Sequence, residues 1–249
     1  MRFFSRRIHK ILSKRDTVEI SERNGIRYLH LGNDTVQSAM RIKAPNDLEL
    51  TYTQAMLGFL PWLETPAKNA LIIGLGGGSL AKFLYHQFPD MNLCAVDIHA
   101  EVIRVAYSHF MLPRDERLCV VEADAAEYIQ RQRNRDIILL DGFDSGCQVA
   151  ELASETFYLR CAEALSPRGV LSVNLWRSDP LFSEYCKRLS RAFDQPIMML
   201  PAEHKGNTIA FAFREAPRFN DRQLKQNAIT LEIRHRLPFT RFIANINKE

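Results

Sequence analysis

The 249-residue chain lacks any apolar run long enough to span a membrane. A membrane helix needs at least ~18 consecutive apolar residues, and polar or charged residues interrupt every stretch sooner than that. Residues 1–15 also have no continuous apolar core, which a secretory signal requires. From these absences we expect a cytoplasmic protein that makes no membrane contact.

The chain also lacks the cysteine patterns of disulfide frameworks and zinc sites. Its five cysteines are dispersed, and no two form a CxxC pair, so reduced thiols are expected. No group of His and Cys residues has zinc-ligand spacing, and we therefore expect no metal. There is no internal repeat and no low-complexity linker, and the 46% hydrophobic and 25% charged residues are typical of a globular protein.

Acidic residues are missing from the first 15 positions, which contain six basic residues. Residues 204–249 contain nine basic and four acidic residues, so residues 16–203 hold 18 basic and 25 acidic residues, a net charge of −7. This acidic body favours a cationic small-molecule ligand over nucleic acid, although the whole chain has a net charge of +4. Residues 1–15 are predicted to be a mobile leader, or else a short basic helix that touches acidic lipid or nucleic acid.

Residues 16–62 predict a small N-terminal β region followed by a linking helix. Apolar residues alternate in residues 26–31, and Asn24-Gly25 is a strong hairpin-turn signal. Two or three short antiparallel strands are expected, and residues 48–62 have helical spacing.

Residues 63–215 predict one Rossmann-like α/β domain. Five buried strand-like runs alternate with amphipathic helical segments, which is the pattern of a parallel sheet with crossover helices. Two further runs, 196–202 and 207–215, have no helix between them and predict a closing antiparallel hairpin. We therefore predict the seven-stranded class I S-adenosylmethionine-dependent transferase fold. Residues 216–249 are a C-terminal extension, in which the segment AITLEIRHRL is expected to add a strand or pack at a dimer interface.

A glycine-rich loop and two acidic residues predict a nucleoside site. GLGGGS follows the first strand of this domain directly and precedes a helix, so its backbone amides can approach a ligand closely. The loop contains no Lys or Arg, which disfavours a phosphate-binding P-loop. Asp97 ends the second strand, where a carboxylate accepts ribose hydroxyls, and Asp124-Ala125 ends the third, beside the expected adenine. The alternative for both aspartates is capping of the helix that follows.

Two carboxylates close together end the fourth strand. Asp141 and Asp144 are three residues apart, and their mutual repulsion would raise the pKa of one unless a cation lay between them. Such a pair is suited to hold an amine nucleophile and accept its proton. The alternative is a turn capped by aspartate.

Taken in order, these features resemble the spermidine synthase (polyamine aminopropyltransferase) family, and in particular its divergent bacterial branch. The resemblance covers roughly residues 28–215 and includes TVQS at 35–38, Tyr52 before a helix and ETFY at 155–158. It implies transfer of an aminopropyl group from decarboxylated S-adenosylmethionine to an amine such as putrescine, with release of methylthioadenosine. It also implies a homodimer.

Individual roles carry over from the resemblance by position. The residues implied to bind the nucleoside co-substrate are Gln37, Gly74, Gly76, Gly78, Asp97, Asp124 and Ala125. Asp141 is implied to deprotonate the attacking amine. The residues implied to place the acceptor are Tyr52, Asp144, Asn174 and Glu203.

The acceptor side departs from the family pattern in four places. Gly77 stands where the family's glycine loop has an aspartate that helps to hold the aminopropyl amine. The proline that usually follows the aspartate pair is absent, Asn174 replaces a glutamine, and Glu203 stands where a tyrosine is expected. Two alternatives therefore stay open: a methyltransferase that uses intact S-adenosylmethionine, and a non-catalytic nucleoside-binding protein.

Overall fold

The computed structural model describes residues 6–12, 17–33, 35–144, 147–202 and 206–248. The strands in these ranges are β1 (Arg6–Leu12), β2 (Thr17–Arg23), β3 (Ile26–Leu31), β4 (Val36–Arg41), β5 (Asn69–Ile73), β6 (Asn92–Asp97), β7 (Leu118–Glu122), β8 (Arg135–Leu140), β9 (Phe143–Asp144), β10 (Cys147–Gln148), β11 (Leu165–Trp176), β12 (Met198–Pro201), β13 (Asn207–Phe213) and β14 (Asn247–Lys248). The α-helices are α1 (Thr51–Ala55), α2 (Ser79–Gln87), α3 (Ala100–His109), α4 (Ala125–Tyr128), α5 (Glu155–Ala164), α6 (Phe182–Phe193), α7 (Asp221–His235) and α8 (Phe239–Asn245). Within these ranges, no helix is both long and apolar enough to cross a membrane.

The large sheet has the order β14-β12-β13-β11-β8-β5-β6-β7. The five strands from β11 to β7 are parallel, while β13 and β12 run antiparallel and close the sheet as a hairpin. The predicted Rossmann-like fold with seven strands and a closing hairpin is confirmed. The two-residue strand β14, from the C-terminal extension, adds an eighth strand at the edge.

Both faces of this sheet are buried, which explains the nearly continuous apolar runs in its strands. Alternate residues of β5 enter two different apolar clusters: Ile72 lies in one, and Leu71 and Ile73 lie in the other. The strands are thereby packed between helices, and this packing sets where the loops at their carboxyl ends begin.

The N-terminal sheet has four antiparallel strands, in the order β1-β2-β3-β4. Asn24 and Gly25 form its predicted turn, and both have positive φ angles, 53° and 76°. A third apolar cluster packs this sheet against α3, and it includes Leu29 of the sheet and Val102 and Phe110 at the helix. The N-terminal sheet therefore lies over the helix that follows the second strand of the large sheet.

Two predictions at the chain ends differ from the structure. Residues 6–12, predicted as part of a mobile leader or basic helix, form β1, because their backbone pairs with β2 and the Arg7 guanidinium forms an ion pair with Glu19 at 2.6 Å. Most of the alternating segment in the C-terminal extension, residues 228–235, belongs to α7, and the segment forms no strand. Asn220 starts that helix with a capping box, and the helix buries Ala228.

Candidate active site

A cavity of about 250 Å³ opens at the carboxyl ends of β5, β6, β7 and β8. Parallel strands bring the residues that follow them to one edge of the sheet, which is where open α/β sheets bind their ligands. The predicted residues that line the cavity are Gln37, Gly74, Gly76, Asp97, Asp124, Ala125 and Asp141. The structure therefore brings most of the predicted site together, and each residue's role stays a prediction.

The glycine loop has a backbone that side chains would disrupt. Gly74 has a φ of 88°, and a Cβ atom there would lie 2.2 Å from the backbone oxygen of Asp141. Gly76 has a φ of 52° and lines the cavity. Gly78 has a φ of 72° and is the N-cap of α2, so it supports the turn without lining the cavity. The loop can thus approach a ligand with its main chain.

The carboxylate of Asp97 is tied to the glycine loop. Its Oδ2 accepts a hydrogen bond from the Leu75 backbone N–H at 2.9 Å, and its Oδ1 accepts one from the His99 backbone N–H at 2.9 Å. The predicted alternative, a cap for α3, is not seen: His99 is the N-cap, and no side chain caps that helix. Asp97 lines the cavity with acceptor capacity left on Oδ2.

His99 is a cavity residue that was not among the predicted site residues. Its side chain is only 13% exposed, lines the cavity, and places Nδ1 3.1 Å from Asp97 Oδ1. Its position two residues after Asp97 is the sequence feature that could have identified it as a site residue. The imidazole therefore shares the carboxylate that is predicted to bind ribose.

Asp124 combines both of the roles considered for it. Its Oδ1 accepts a hydrogen bond from the Ala126 backbone N–H at 2.8 Å and so caps α4. Asp124 and Ala125 also line the cavity. A cap occupies one carboxylate oxygen and leaves the other available to a ligand, so the adenine role remains compatible with the cap.

The carboxylate of Asp141 is held by two side chains. Its Oδ2 accepts a hydrogen bond from the Tyr52 hydroxyl at 3.0 Å, and its Oδ1 accepts one from the Asn174 amide at 2.8 Å. Burial raises the pKa of Asp141, and these two hydrogen bonds act in the opposite direction. Burial and the nearby carboxylate also raise the pKa of Tyr52, which keeps its hydroxyl protonated as a donor.

The other predicted acceptor residues occupy different positions. Tyr52 and Asn174 touch Asp141 but do not line the cavity, so they contact the carboxylate from behind. The backbone of Asp144 pairs with Cys147 in a two-residue hairpin, and its side chain lies outside the described part of the chain. Glu203 lies wholly outside the described residues.

Some cavity residues had no sequence motif to identify them. Those that follow Asp141 in the chain are Gly142, Val149, Glu151 and Leu152. They belong to a segment with irregular spacing, and only the return of the chain over the end of β8 brings them to the cavity. Glu151 adds a further acidic group to its wall.

The space beside Gly77 is filled by other side chains. A Cβ atom at this position would lie 2.7 Å from Ser38 Oγ and 2.8 Å from Phe110 Cδ1. Phe110 is in turn held from behind, because the buried Lys82 ammonium donates a hydrogen bond to its backbone oxygen at 2.7 Å. An aspartate side chain at position 77 would therefore collide with Ser38 and Phe110 as they are packed here.

The fold and the position of the cavity define the class: an α/β transferase fold of the S-adenosylmethionine-dependent type. The family model described as "Spermine/spermidine synthase domain" matches residues 49–218, and the chain belongs to this family. A polyamine aminopropyltransferase of Chromobacterium violaceum is 41% identical over 249 residues, which cover 98% of this chain and 95% of the relative. The chain is accordingly a transferase enzyme.

Solved structures share the fold. A probable spermidine synthase from Corynebacterium glutamicum superposes with a TM-score of 0.77 at 17% identity, covering 90% of this chain and 86% of the other. A spermidine synthase in complex with the transition state analogue AdoDATO superposes with a TM-score of 0.69 at 20% identity, covering 93% and 89%.

Proposed function

We propose that this chain transfers an aminopropyl group from decarboxylated S-adenosylmethionine to a small amine such as putrescine and releases methylthioadenosine. The observation that carries the proposal is the position of Asp141. Asp141 lines the same cavity as the glycine loop, Asp97 and Asp124, and two neutral hydrogen-bond donors fix the orientation of its carboxylate. A nucleoside and an amine can therefore meet beside a positioned base.

The residues that line the cavity fit the nucleoside part of the co-substrate. The glycine loop presents its main chain, Asp97 retains acceptor capacity for ribose hydroxyls, and Asp124 retains one oxygen for an exocyclic amine. The sulfonium and the ammonium groups of both substrates are cations, and these carboxylates attract them.

Asp141 is proposed to act as the general base. A protonated amine has no lone pair, so it must lose a proton before it attacks. Asp141 accepts that proton, the nitrogen forms a bond to the carbon attached to sulfur, and the carbon–sulfur bond breaks. The bonding electrons move to sulfur, which becomes a neutral thioether. A raised pKa improves the basicity of Asp141 for this transfer.

The direct test supplies decarboxylated S-adenosylmethionine with a panel of diamines and monoamines and measures methylthioadenosine. Release that depends on an amine is the expected result, and no release with any amine would contradict the proposal. The proposed step uses no metal ion, so we expect EDTA to leave the rate unchanged. The proposal also includes that the protein is a cytoplasmic homodimer. Light scattering after gel filtration measures its mass in solution and so tests the oligomeric state.

Gly77 motivates a second candidate, methyl transfer from intact S-adenosylmethionine. An aspartate at this position would repel the methionine carboxylate, and here Ser38 and Phe110 occupy that space. Calorimetry with both forms of the co-substrate distinguishes the candidates. Tighter binding of the decarboxylated form favours aminopropyl transfer, and tighter binding of the intact form favours methyl transfer.

A further inference from the structure

The hydrogen bonds around Asp141 continue one residue beyond the side chains that touch it. Asn174 Nδ2 donates to Asp141 Oδ1 at 2.8 Å, and Asn174 Oδ1 accepts from Asn207 Nδ2 at 2.9 Å. Asn207 therefore acts on the carboxylate only through the intervening amide.

Strand register puts these three side chains in one row. Val173 pairs with Leu140 across β11 and β8, so the residues that follow them, Asn174 and Asp141, are neighbours. Asn207, at the start of β13, pairs with Trp176 and is thus diagonal to Asn174. Diagonal neighbours two residues apart share a face of the sheet. The row is therefore held by backbone pairing on three adjacent strands.

An asparagine amide has a donor end and an acceptor end of nearly the same shape. Rotating the Asn174 amide by half a turn would place its oxygen against the Asp141 carboxylate, and two acceptors repel each other. Asn174 is only 2% exposed, so water is a poor substitute for a lost partner. The hydrogen bond from Asn207 satisfies Oδ1 and opposes that rotation.

We propose that Asn207 is a positioning residue for the transfer reaction, because it holds the N–H end of the Asn174 amide toward Asp141. This inference rests on the proposed function, in which Asp141 accepts the proton of the amine. The relay matters most once Asp141 has become protonated, because the carboxyl group alone then no longer dictates which end of the amide faces it.

The relay sets how strongly Asp141 holds a proton. A fixed N–H donor stabilises the ionised carboxylate, so its loss raises the pKa of Asp141 beyond the effect of burial. The titratable groups near Asp141 in the described part of the chain are Tyr52, which contacts it, and Asp97, His99, Asp124 and Glu151 on the cavity wall.

Three variants separate the relay from general structural damage. Asn207→Asp keeps the shape but replaces the N–H donor by an acceptor, which favours the rotated Asn174 amide. Asn207→Leu removes the hydrogen bond without adding a charge. The control is Asn227→Asp on α7, where Asn227 Nδ2 donates to the Pro61 backbone oxygen at 3.0 Å. It makes the same chemical change away from the cavity.

The measurement is the pH dependence of kcat and kcat/KM. For Asn207→Asp we expect the acidic limb to move up by about one pH unit, with roughly a tenfold lower rate below it and recovery at higher pH. Asn207→Leu should move the acidic limb in the same direction by a smaller amount, and the pH profile of Asn227→Asp should match that of the wild type. An equal loss of rate at every pH, or a shift also present in Asn227→Asp, would overturn the proposal.

A titration of the Asp141 carboxyl group by ¹³C NMR tests the relay without turnover, with Asp141→Asn identifying the signal. An upward shift in Asn207→Asp, absent in Asn227→Asp, supports the relay, and an unchanged titration overturns it. If the wild type releases no methylthioadenosine with any amine, the proposed function fails, whereas the NMR result still decides the relay.

Discussion

The proposed active site has two halves that are built differently. The nucleoside half, proposed to consist of Gly74, Gly76, Asp97 and Asp124, is held through the main chain: Asp124 accepts from an amide two residues away, and Asp97 accepts from amides two and 22 residues away. The amine half, proposed to consist of Tyr52, Asp141 and Asn174, is held by hydrogen bonds between side chains, and of these three only Asp141 lines the cavity. Tyr52 and Asp141 are 89 residues apart. The first half therefore depends on loop geometry, and the second on tertiary convergence.

This difference predicts separate consequences for substitutions. Changes in the nucleoside half should disturb the backbone, and with it both folding and binding. Changes in the amine half should alter a proton transfer while the fold and nucleoside binding persist. The predictions below test this separation, beginning with the largest effect.

Replacing Asp141 by asparagine should reduce kcat by about 10²–10⁴-fold, the usual contribution of a general base. The affinity for methylthioadenosine, measured by calorimetry, should stay within about twofold because the nucleoside half is untouched. If the affinity for methylthioadenosine fell by as large a factor as kcat, the two halves would not be functionally separate.

The same variant should be more stable than the wild type at neutral pH. The pKa of Asp141 is raised in the folded state, so the folded protein holds a proton more tightly than the unfolded chain and loses stability as pH rises through that pKa. An amide carries no such charge. This gain in stability should disappear below the ordinary pKa of an aspartate. Urea unfolding of both proteins across pH measures it, and a gain that does not change with pH would contradict the prediction.

Gly74→Ala should destabilise the fold by more than about 3 kcal/mol, because it combines a positive φ with a Cβ contact of 2.2 Å to the Asp141 backbone oxygen. Gly25→Ala is the matched control, since Gly25 also has a positive φ but no atom within 4 Å of the added Cβ. It should cost only about 1 kcal/mol. If chemical denaturation showed the same loss of unfolding free energy in both variants, the contact between the added Cβ atom and the Asp141 backbone oxygen would not be the cause.

Lys82→Met should affect stability rather than rate. Burial lowers the pKa of Lys82 to about 8, so between that value and the ordinary 10.5 the unfolded chain binds more protons and the wild type gains stability as pH rises. Relative to the variant, the gain should be on the order of 3 kcal/mol at most. Lys68→Met, at an exposed lysine, should show no such trend. If the difference in unfolding free energy between the wild type and Lys82→Met were constant from pH 7.5 to 10.5, a destabilised buried ammonium at Lys82 would be excluded.

Much of the fold was predictable because its signals are local. Apolar runs that alternate with helical segments predicted the large sheet and its closing hairpin, and Asn24-Gly25 predicted a turn. The strand β1 was missed, since pairing with β2 is what makes residues 6–12 a strand, and their basic composition carries no trace of it. The helix α7 was missed because its alternating residues suggested a strand, while its cap at Asn220 decided otherwise.

The sequence by itself determined the class of fold, the glycine loop and the acidic residues at the strand ends, because the pattern that signals each of them lies within a short stretch of the chain. Only the tertiary structure decided that Tyr52, Asn174 and, through it, Asn207 converge on Asp141. It also decided that Phe110 and Ser38 fill the space beside Gly77. The physical reason is that hydrogen bonds and close packing depend on distances in space, and strand order and register set those distances.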